Sequence, residues 1–277
     1  MPKVREPIVS GIFYPDSPEK LKEELMLRRR QHTETAAPAA SAASPVRAVV
    51  TPHAAYEYSG AVTTAAYEAL RGSRAERILL IGPVHREKEN KLFLPEAEVF
   101  RTPLGDTPVD CECVEKLAAA CSCAVIDDIP HTEEHCLETQ LPFIHYYFPG
   151  SSIIPVLTGD LTKRNAGGFI EALFSSIPRM LQTTIIIVTV NTASAPAYEA
   201  AKQQAGELEK EFSPGNDSFF FTIKAKKQLS VCSPQCIGML LHNKFAFTNV
   251  NMLNQRSSAD FTGTDAKTVF YSAYTLS

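Results

Sequence analysis

Several short, uninterrupted apolar runs restrict what this chain can fold into. They are Ala48-Val49-Val50, Ile78-Leu79-Leu80-Ile81, Ile153 to Leu157, and the wholly β-branched stretch from Thr183 to Val190. Strands that read as continuous apolar runs are those buried on both faces, as in parallel sheets covered by helices. Segments of helical length separate them, so the expected fold class is α/β. A largely parallel central sheet should carry helices on both faces, with late antiparallel additions. With 277 residues, 44% of them hydrophobic, the chain has room for one large α/β domain, and residues 1–277 are read as one unit.

The spacing predicts an N-terminal strand and helix, then a strand ending at Thr51 and a helix over 59–71. Strands follow at 77–81 and 92–100, with helices at 111–120 and from Thr132 toward Tyr147, the latter bent at Pro142. A strand at 153–157, a helix at 166–174 and the strand at 183–190 come next. Helices near 196–212 and 232–242 precede closing strands at 245–252 and 268–274. Residues 31–45, rich in alanine, proline and serine, offer little to bury and read as a surface loop.

A net charge of −4 argues against nucleic acid as a partner. No apolar run approaches the ~20 residues of a membrane span. The start, Met1 to Glu6, lacks the apolar stretch of a secretory leader, so the expected compartment is cytoplasmic. Seven cysteines, an odd number, argue against a complete disulfide framework. The two C-x-C pairs, Cys111/Cys113 and Cys121/Cys123, stand about 15 Å apart along a helix, too far for one tetrahedral ion. They read as packing residues.

Two histidines follow prolines at the carboxyl ends of apolar strands: His53 after Pro52, and His85 in Gly82-Pro83-Val84-His85. Ligands of open α/β sheets bind at that edge. Two imidazoles delivered there can reach one metal ion or one substrate. Tyr56 and Tyr58 are expected to line a pocket beside His53, with Ser59 capping the next helix. Cys232, expected to open a helix, should have its thiol acidified by the helix dipole. A thiolate and two neutral imidazoles form a three-ligand set for iron, copper or zinc with an open position. His131 and His135 in His131-Thr132-Glu133-Glu134-His135 match the H-x-x-E-H of inverted zinc proteases. That reading needs a second helix with a downstream acidic ligand, and no segment stands out as one.

These residues occur in one order along nearly the whole chain. Gly11-Ile12-Phe13-Tyr14-Pro15, Pro52-His53-Ala54 through Tyr58-Ser59-Gly60, and Gly82 to His85 come first. Thr102-Pro103-Leu104-Gly105, His131 to Glu138 and Gln140-Leu141-Pro142-Phe143 follow. The set resembles the Memo family, also called AmmeMemoRadiSam system protein B. The resemblance implies a fold similar to class III extradiol dioxygenases, and metal-ligand roles for His53, His85 and Cys232. It also implies an Ammecr1-like protein and a radical SAM protein as partners. After the strand at Ile185 to Val188, the family pattern carries an acid and a histidine where this chain has Asn191 and Ser194. Serine cannot replace imidazole as a strong base, so the third strand-end motif is degenerate.

Two functional expectations follow. In the first, the protein is an oxidoreductase with a divalent metal, iron foremost. His135 or His131 then carries protons, while Tyr56, Tyr58, Asn191 and Ser194 contact the substrate. In the second, the same cleft binds a peptide, a small ligand or a metal for delivery, without turnover.

Overall fold

The computed structural model describes residues 1–35, 46–86, 88–178, 180–223, 229–264 and 267–277. Its strands are β1 (Val4–Arg5), β2 (Ala48–Thr51), β3 (Arg77–Pro83), β4 (Leu92–Leu94), β5 (Val99–Thr102) and β6 (Gly105–Pro108). They continue with β7 (Ala124–Ile126), β8 (Ser152–Thr158), β9 (Thr184–Thr189), β10 (Ala193–Ala195), β11 (Val250–Ser257) and β12 (Thr268–Leu276).

The large sheet runs β10-β12-β2-β9-β3-β8-β4-β7, with β11 paired to β12. Its centre is parallel: β2 with β9, β9 with β3, and β3 with β8. Antiparallel pairing enters on one side through β12 with β2, β10 and β11, and on the other where β4 meets β8. This is the expected α/β class. Ile78, Leu79, Leu80 and Ile81 of β3, with the whole of β9, are buried. Such strands need helices on both faces. One group of mutually packed helices comprises Pro18–Thr35, Tyr56–Ala69 and Leu141–Tyr147. Another set is linked in series: Cys111–Ala120 packs on Lys163–Ser176, that helix on Pro234–Leu240, and Pro234–Leu240 on Asp217–Thr222.

Several expected boundaries move. The single strand at 92–100 is two strands in different sheets: β4 joins the large one, while β5 pairs with β1 and β6. The helix expected from Thr132 to Tyr147 is three pieces, Asp128–Glu133, the turn Glu138–Gln140 and Leu141–Tyr147. Pro142 lies in the first turn of the last piece, where its missing N–H costs nothing. It therefore starts a helix instead of bending one. The helix expected from Ser59 begins at Tyr56, and the Ser59 hydroxyl donates back to the Ala54 and Ala55 carbonyls rather than capping. Of the loop expected at 31–45, residues 31–35 end the first helix and the remainder lies outside the described residues. The strand expected at 245–252 is β11, and Phe245 belongs to a tight turn before it.

A buried ion pair fastens the N-terminus to the segment 131–138. The Arg5 guanidinium pairs with the Glu138 carboxylate, and both side chains are shut off from solvent. Arg5 also donates to the carbonyls of His131 (2.9 Å) and Glu134 (2.7 Å). Glu138 accepts from Ile8 N–H (2.9 Å), Val9 N–H (3.0 Å) and the Tyr14 hydroxyl (2.7 Å). Removing one member of such a pair strands a buried charge, at a cost of roughly 3–5 kcal/mol. Glu138→Gln is expected to lose that much unfolding free energy, read from the midpoint and slope of urea denaturation.

Candidate metal centre

In the sheet, β9 lies between β2 and β3, so the carboxyl ends of these three strands stand side by side. His53 follows β2, His85 follows β3, and Asn191 follows β9. The close fit at this edge depends on Gly82. A Cβ there would lie 2.6 Å from the Cys136 sulfur and 2.8–2.9 Å from Leu137 and Thr189 carbons. Absence of a side chain lets the 134–138 segment pack onto the end of β3.

His53 is 1% exposed. Its Nδ1 sits 3.1 Å from the Thr189 hydroxyl, and its backbone N–H donates to the Asn191 side-chain oxygen at 3.3 Å. The other ring nitrogen, Nε2, faces the Cys232 sulfur at 3.6 Å. Cys232 is tied to the end of β9 from both sides. Its N–H donates to the Asn191 carbonyl (3.2 Å), and the Asn191 N–H donates to its sulfur (3.4 Å). Gln140 supports this corner from behind, donating to the Pro52 carbonyl at 2.8 Å.

His85 and His135 lie on the more open side. Their rings stack with centroids 5.4 Å apart and planes 12° from parallel. The His53 ring stands edge-on to both, at 5.2 Å from His85 and 5.8 Å from His135. Glu134 bridges the stacked pair: one oxygen lies 2.9 Å from His85 Nδ1 and the other 3.1 Å from His135 Nδ1. Donor atoms of His53, His85 and Cys232 all lie within 4.8 Å of one another, as do those of His85, Glu134 and His135. The first group can converge on one ion, whereas in the second the Glu134 oxygens are already engaged by the two imidazoles and by backbone amides.

Burial pushes the His53 imidazole down to about 3, helped by the neighbouring His85 and His135 rings, so it is neutral at ordinary pH. For Glu134 burial acts in the opposite sense, but hydrogen bonds from His135 and His85 win and hold the carboxyl well below its usual range. The Cys232 thiol differs from expectation. Its helix begins at Pro234 with Ser233 as N-cap, one residue further on. Although Cys232 is exposed as a residue, protein packed around its sulfur pushes the thiol up to about 12, against the backbone hydrogen bond from Asn191. Without a metal it is a thiol, and the helix dipole does not make it a thiolate.

The other expected residues fall elsewhere. The helix carrying His131 ends at Glu133, and Glu134 is extended (φ −102°, ψ 136°), so His131 and His135 do not share a helix face. His131 is buried apart from the cluster, its Nε2–H donating to the Phe93 carbonyl at 3.0 Å. This arrangement removes the zinc-protease reading. Tyr56 is a core residue, its hydroxyl donating to the Thr139 carbonyl at 2.8 Å and its ring against Tyr14 and Phe143. Tyr58 is half-buried against Phe261. Ser194 lies in β10 opposite Val269, with β12 between its strand and β2. Asn191 is at the centre, but its side-chain oxygen is engaged by the His53 backbone. Sequence reasoning missed Glu134, whose only signal was its place beside His135. All seven cysteines are thiols, and among the described residues neither C-x-C pair forms a metal-ligating group.

Residues 5–275 match the family described as Memo-like protein. The chain belongs to that family. It is similar to a MEMO1 family protein of Thermotoga neapolitana, 27% identical over 285 residues, covering 99% of this chain and 100% of the relative. A MEMO1 family protein of Pyrobaculum arsenaticum is 27% identical over 282 residues, covering 98% of each. One of Thermoplasma volcanium is 28% identical over 273 residues, covering 98% of this chain and 97% of the relative. Among the described residues of this Memo-like chain, no helix is long and apolar enough to cross a membrane.

The separation of His131 from the cluster has a measurable consequence. Burial lowers its imidazole to about 4, and His53 to about 3, against 6.5 in the unfolded chain. Below pH 6.5 the unfolded chain takes up these protons while the folded protein does not. Stability therefore falls as pH drops through that window, by ~1.4 kcal/mol per pH unit for each group. His131→Gln, which keeps a donor for Phe93, is expected to make this acid slope shallower between pH 6.5 and about 4. Its metal affinity should equal that of the parent, as read by denaturation across pH and metal titration.

Proposed function

We propose that His53, His85 and Cys232 hold a divalent ion, iron foremost, and that the protein is a metal-dependent oxidoreductase acting on a small molecule. The carrying observation is the convergence, within 4.8 Å, of three donor atoms from three segments far apart in sequence. The residues fit such an ion. His53 is neutral at physiological pH and presents Nε2 toward the cysteine sulfur. Two imidazoles and a thiol suit iron, copper or zinc better than magnesium or calcium, which prefer oxygen donors. The Cys232 proton must leave for the sulfur to ligate, and metal binding commonly releases such protons. When bound, an ion of this kind supplies Lewis-acid and electron-transfer chemistry to a ligand in the cleft.

The protein's own residues supply the rest. His135 stands within a ring's width of His85 on the open side, so it is the group that takes or gives a proton at Nε2. His53 and its support from Thr189 and Asn191 close the inner side against water. We place this activity in the cytoplasm, where thiols such as Cys232 stay reduced. An Ammecr1-like protein and a radical SAM protein are the partners to test first.

A specific observation favours a second reading, a cleft that binds a peptide, a small ligand or a metal without turnover. Asn191 spends its oxygen on the His53 backbone, and Ser194 sits away on β10, so the third strand end brings no acid or base.

Metal content after anaerobic purification tests the ion. The wild type should carry near-stoichiometric iron. His53→Ala and Cys232→Ala should each lose affinity by more than the 10–100-fold typical of supporting residues. Failure to bind Fe(II), Cu(I) or Zn(II) on titration would overturn the metal reading. His135→Gln separates the two functions: it should keep the ion while slowing any metal-dependent oxidation by about 10²–10⁴-fold, the range of general acid–base catalysis. Unchanged ligand binding with no turnover in wild type would support the second reading.

A further inference from the structure

Glu134 is a buried carboxylate beside the histidine cluster, and among the described residues five donors surround it. One oxygen takes the His85 backbone N–H at 2.9 Å and the His85 Nδ1 at 2.9 Å. The other takes the backbone N–H of His135 at 2.8 Å and of Cys136 at 3.0 Å, with His135 Nδ1 at 3.1 Å. Three of these partners are amides, which can only donate, and they leave neither oxygen free to carry a proton outward. An ionised carboxylate is acceptor-only. Each imidazole must therefore meet it with a hydrogen on Nδ1.

We infer that Glu134 is the positioning residue of this centre: it locks His85 and His135 together in the Nδ1–H tautomer and leaves Nε2 of each for the cleft. Carboxylates that fix the tautomer and orientation of a metal-binding histidine are a general device. Here one carboxylate serves both the ligand and the proton-carrying histidine. The single bridge also accounts for the near-parallel stack of the two rings, since both hang from opposite oxygens of one planar group. The purpose of this arrangement rests on the proposed metal reading, but the tautomers do not.

The first experiment uses the full-length protein without metal, labelled with ¹⁵N, at a pH about two units above the ordinary imidazole value. Long-range ¹⁵N–¹H correlations distinguish a protonated from an unprotonated ring nitrogen. His85 and His135 are expected to show hydrogen on Nδ1 and a lone pair on Nε2. The opposite tautomer, or an even mixture, at either residue overturns the inference. Glu134→Gln then replaces one acceptor oxygen by a donor, so the imidazole facing the amide must switch to Nε2–H. Where it folds, one of the two histidines should change tautomer, and Zn(II) affinity should fall by about 10–100-fold. Unchanged tautomers in that variant would overturn the role. If Glu134→Gln does not fold, the wild-type spectrum and Glu134→Asp decide. The shorter acid keeps two acceptors and should preserve Nδ1–H at one or both rings, and loss at both would overturn the role. Expected tautomers without Zn(II), Fe(II) or Cu(I) binding would uphold Glu134 and sink the metal reading instead.

Discussion

The Arg5–Glu138 pair is the contact on which the arrangement of the cleft depends. Charges taken out of water are costly, and a buried pair persists only where geometry and further hydrogen bonds compensate them. Here the compensation is dense. Glu138 takes two backbone amides and the Tyr14 hydroxyl besides the guanidinium, and Arg5 reaches two carbonyls as well. Those carbonyls belong to His131 and Glu134, so the pair fixes a stretch with little regular structure of its own. A short helix ends at Glu133 and a tight turn begins at Glu138. Between them lies the extended Glu134, positioned from behind by Arg5 and from in front by two imidazoles.

The sheet supplies the other half of the geometry. Inserting β9 between β2 and β3 brings the ends of strands separated by more than a hundred residues to one edge. Each donor then arrives on a different piece of backbone: His53 from β2, His85 from β3, Cys232 from the segment stapled to Asn191. None of them is positioned by its own local structure. Loss of packing between any two pieces would therefore disperse the donors, which ties the integrity of the cleft to that of the central sheet.

What could be read from the sequence divides along the same physical line. The apolar runs disclosed β2, β3, β8 and β9 because burial on both faces leaves a composition signal that needs no partner to interpret. His53 and His85 were legible because a proline after such a run marks the strand end. The stretch 92–100 misled because an apolar segment does not say which sheet it joins. The spacing of His131 and His135 misled for a related reason. It implies one helix face only while the helix continues, and Glu134 leaves it. Tyr56 looked like a pocket residue beside His53, yet its ring had a better partner in the core formed by Tyr14 and Phe143. The acidity expected of Cys232 failed because a dipole acts at the first turn, while burial acts wherever the sulfur sits. Glu134 left only its place in the H-x-x-E-H match beside His135, since its partners are backbone amides and two imidazoles fifty residues apart or adjacent in sequence.

Asn191, where the family resemblance implied an acid, has a further electrostatic meaning. At that position the side-chain oxygen accepts a hydrogen bond from a backbone amide, a task that needs no charge. Among the described residues, Glu134 is the carboxylate placed against these histidines, and it gives both oxygens to Nδ1 and amide donors. With the proposed ligands, two neutral imidazoles and one thiolate facing a divalent ion would leave a net charge of about +1. Hard ions that bind through carboxylate oxygen gain little from such a set, whereas ions with affinity for nitrogen and sulfur lose nothing. An extra carboxylate at position 191 would have offered an oxygen ligand and offset that charge. On the proposed reading its absence would favour nitrogen- and sulfur-binding ions over magnesium or calcium, and His135, stacked on His85, is the group we propose to exchange a proton.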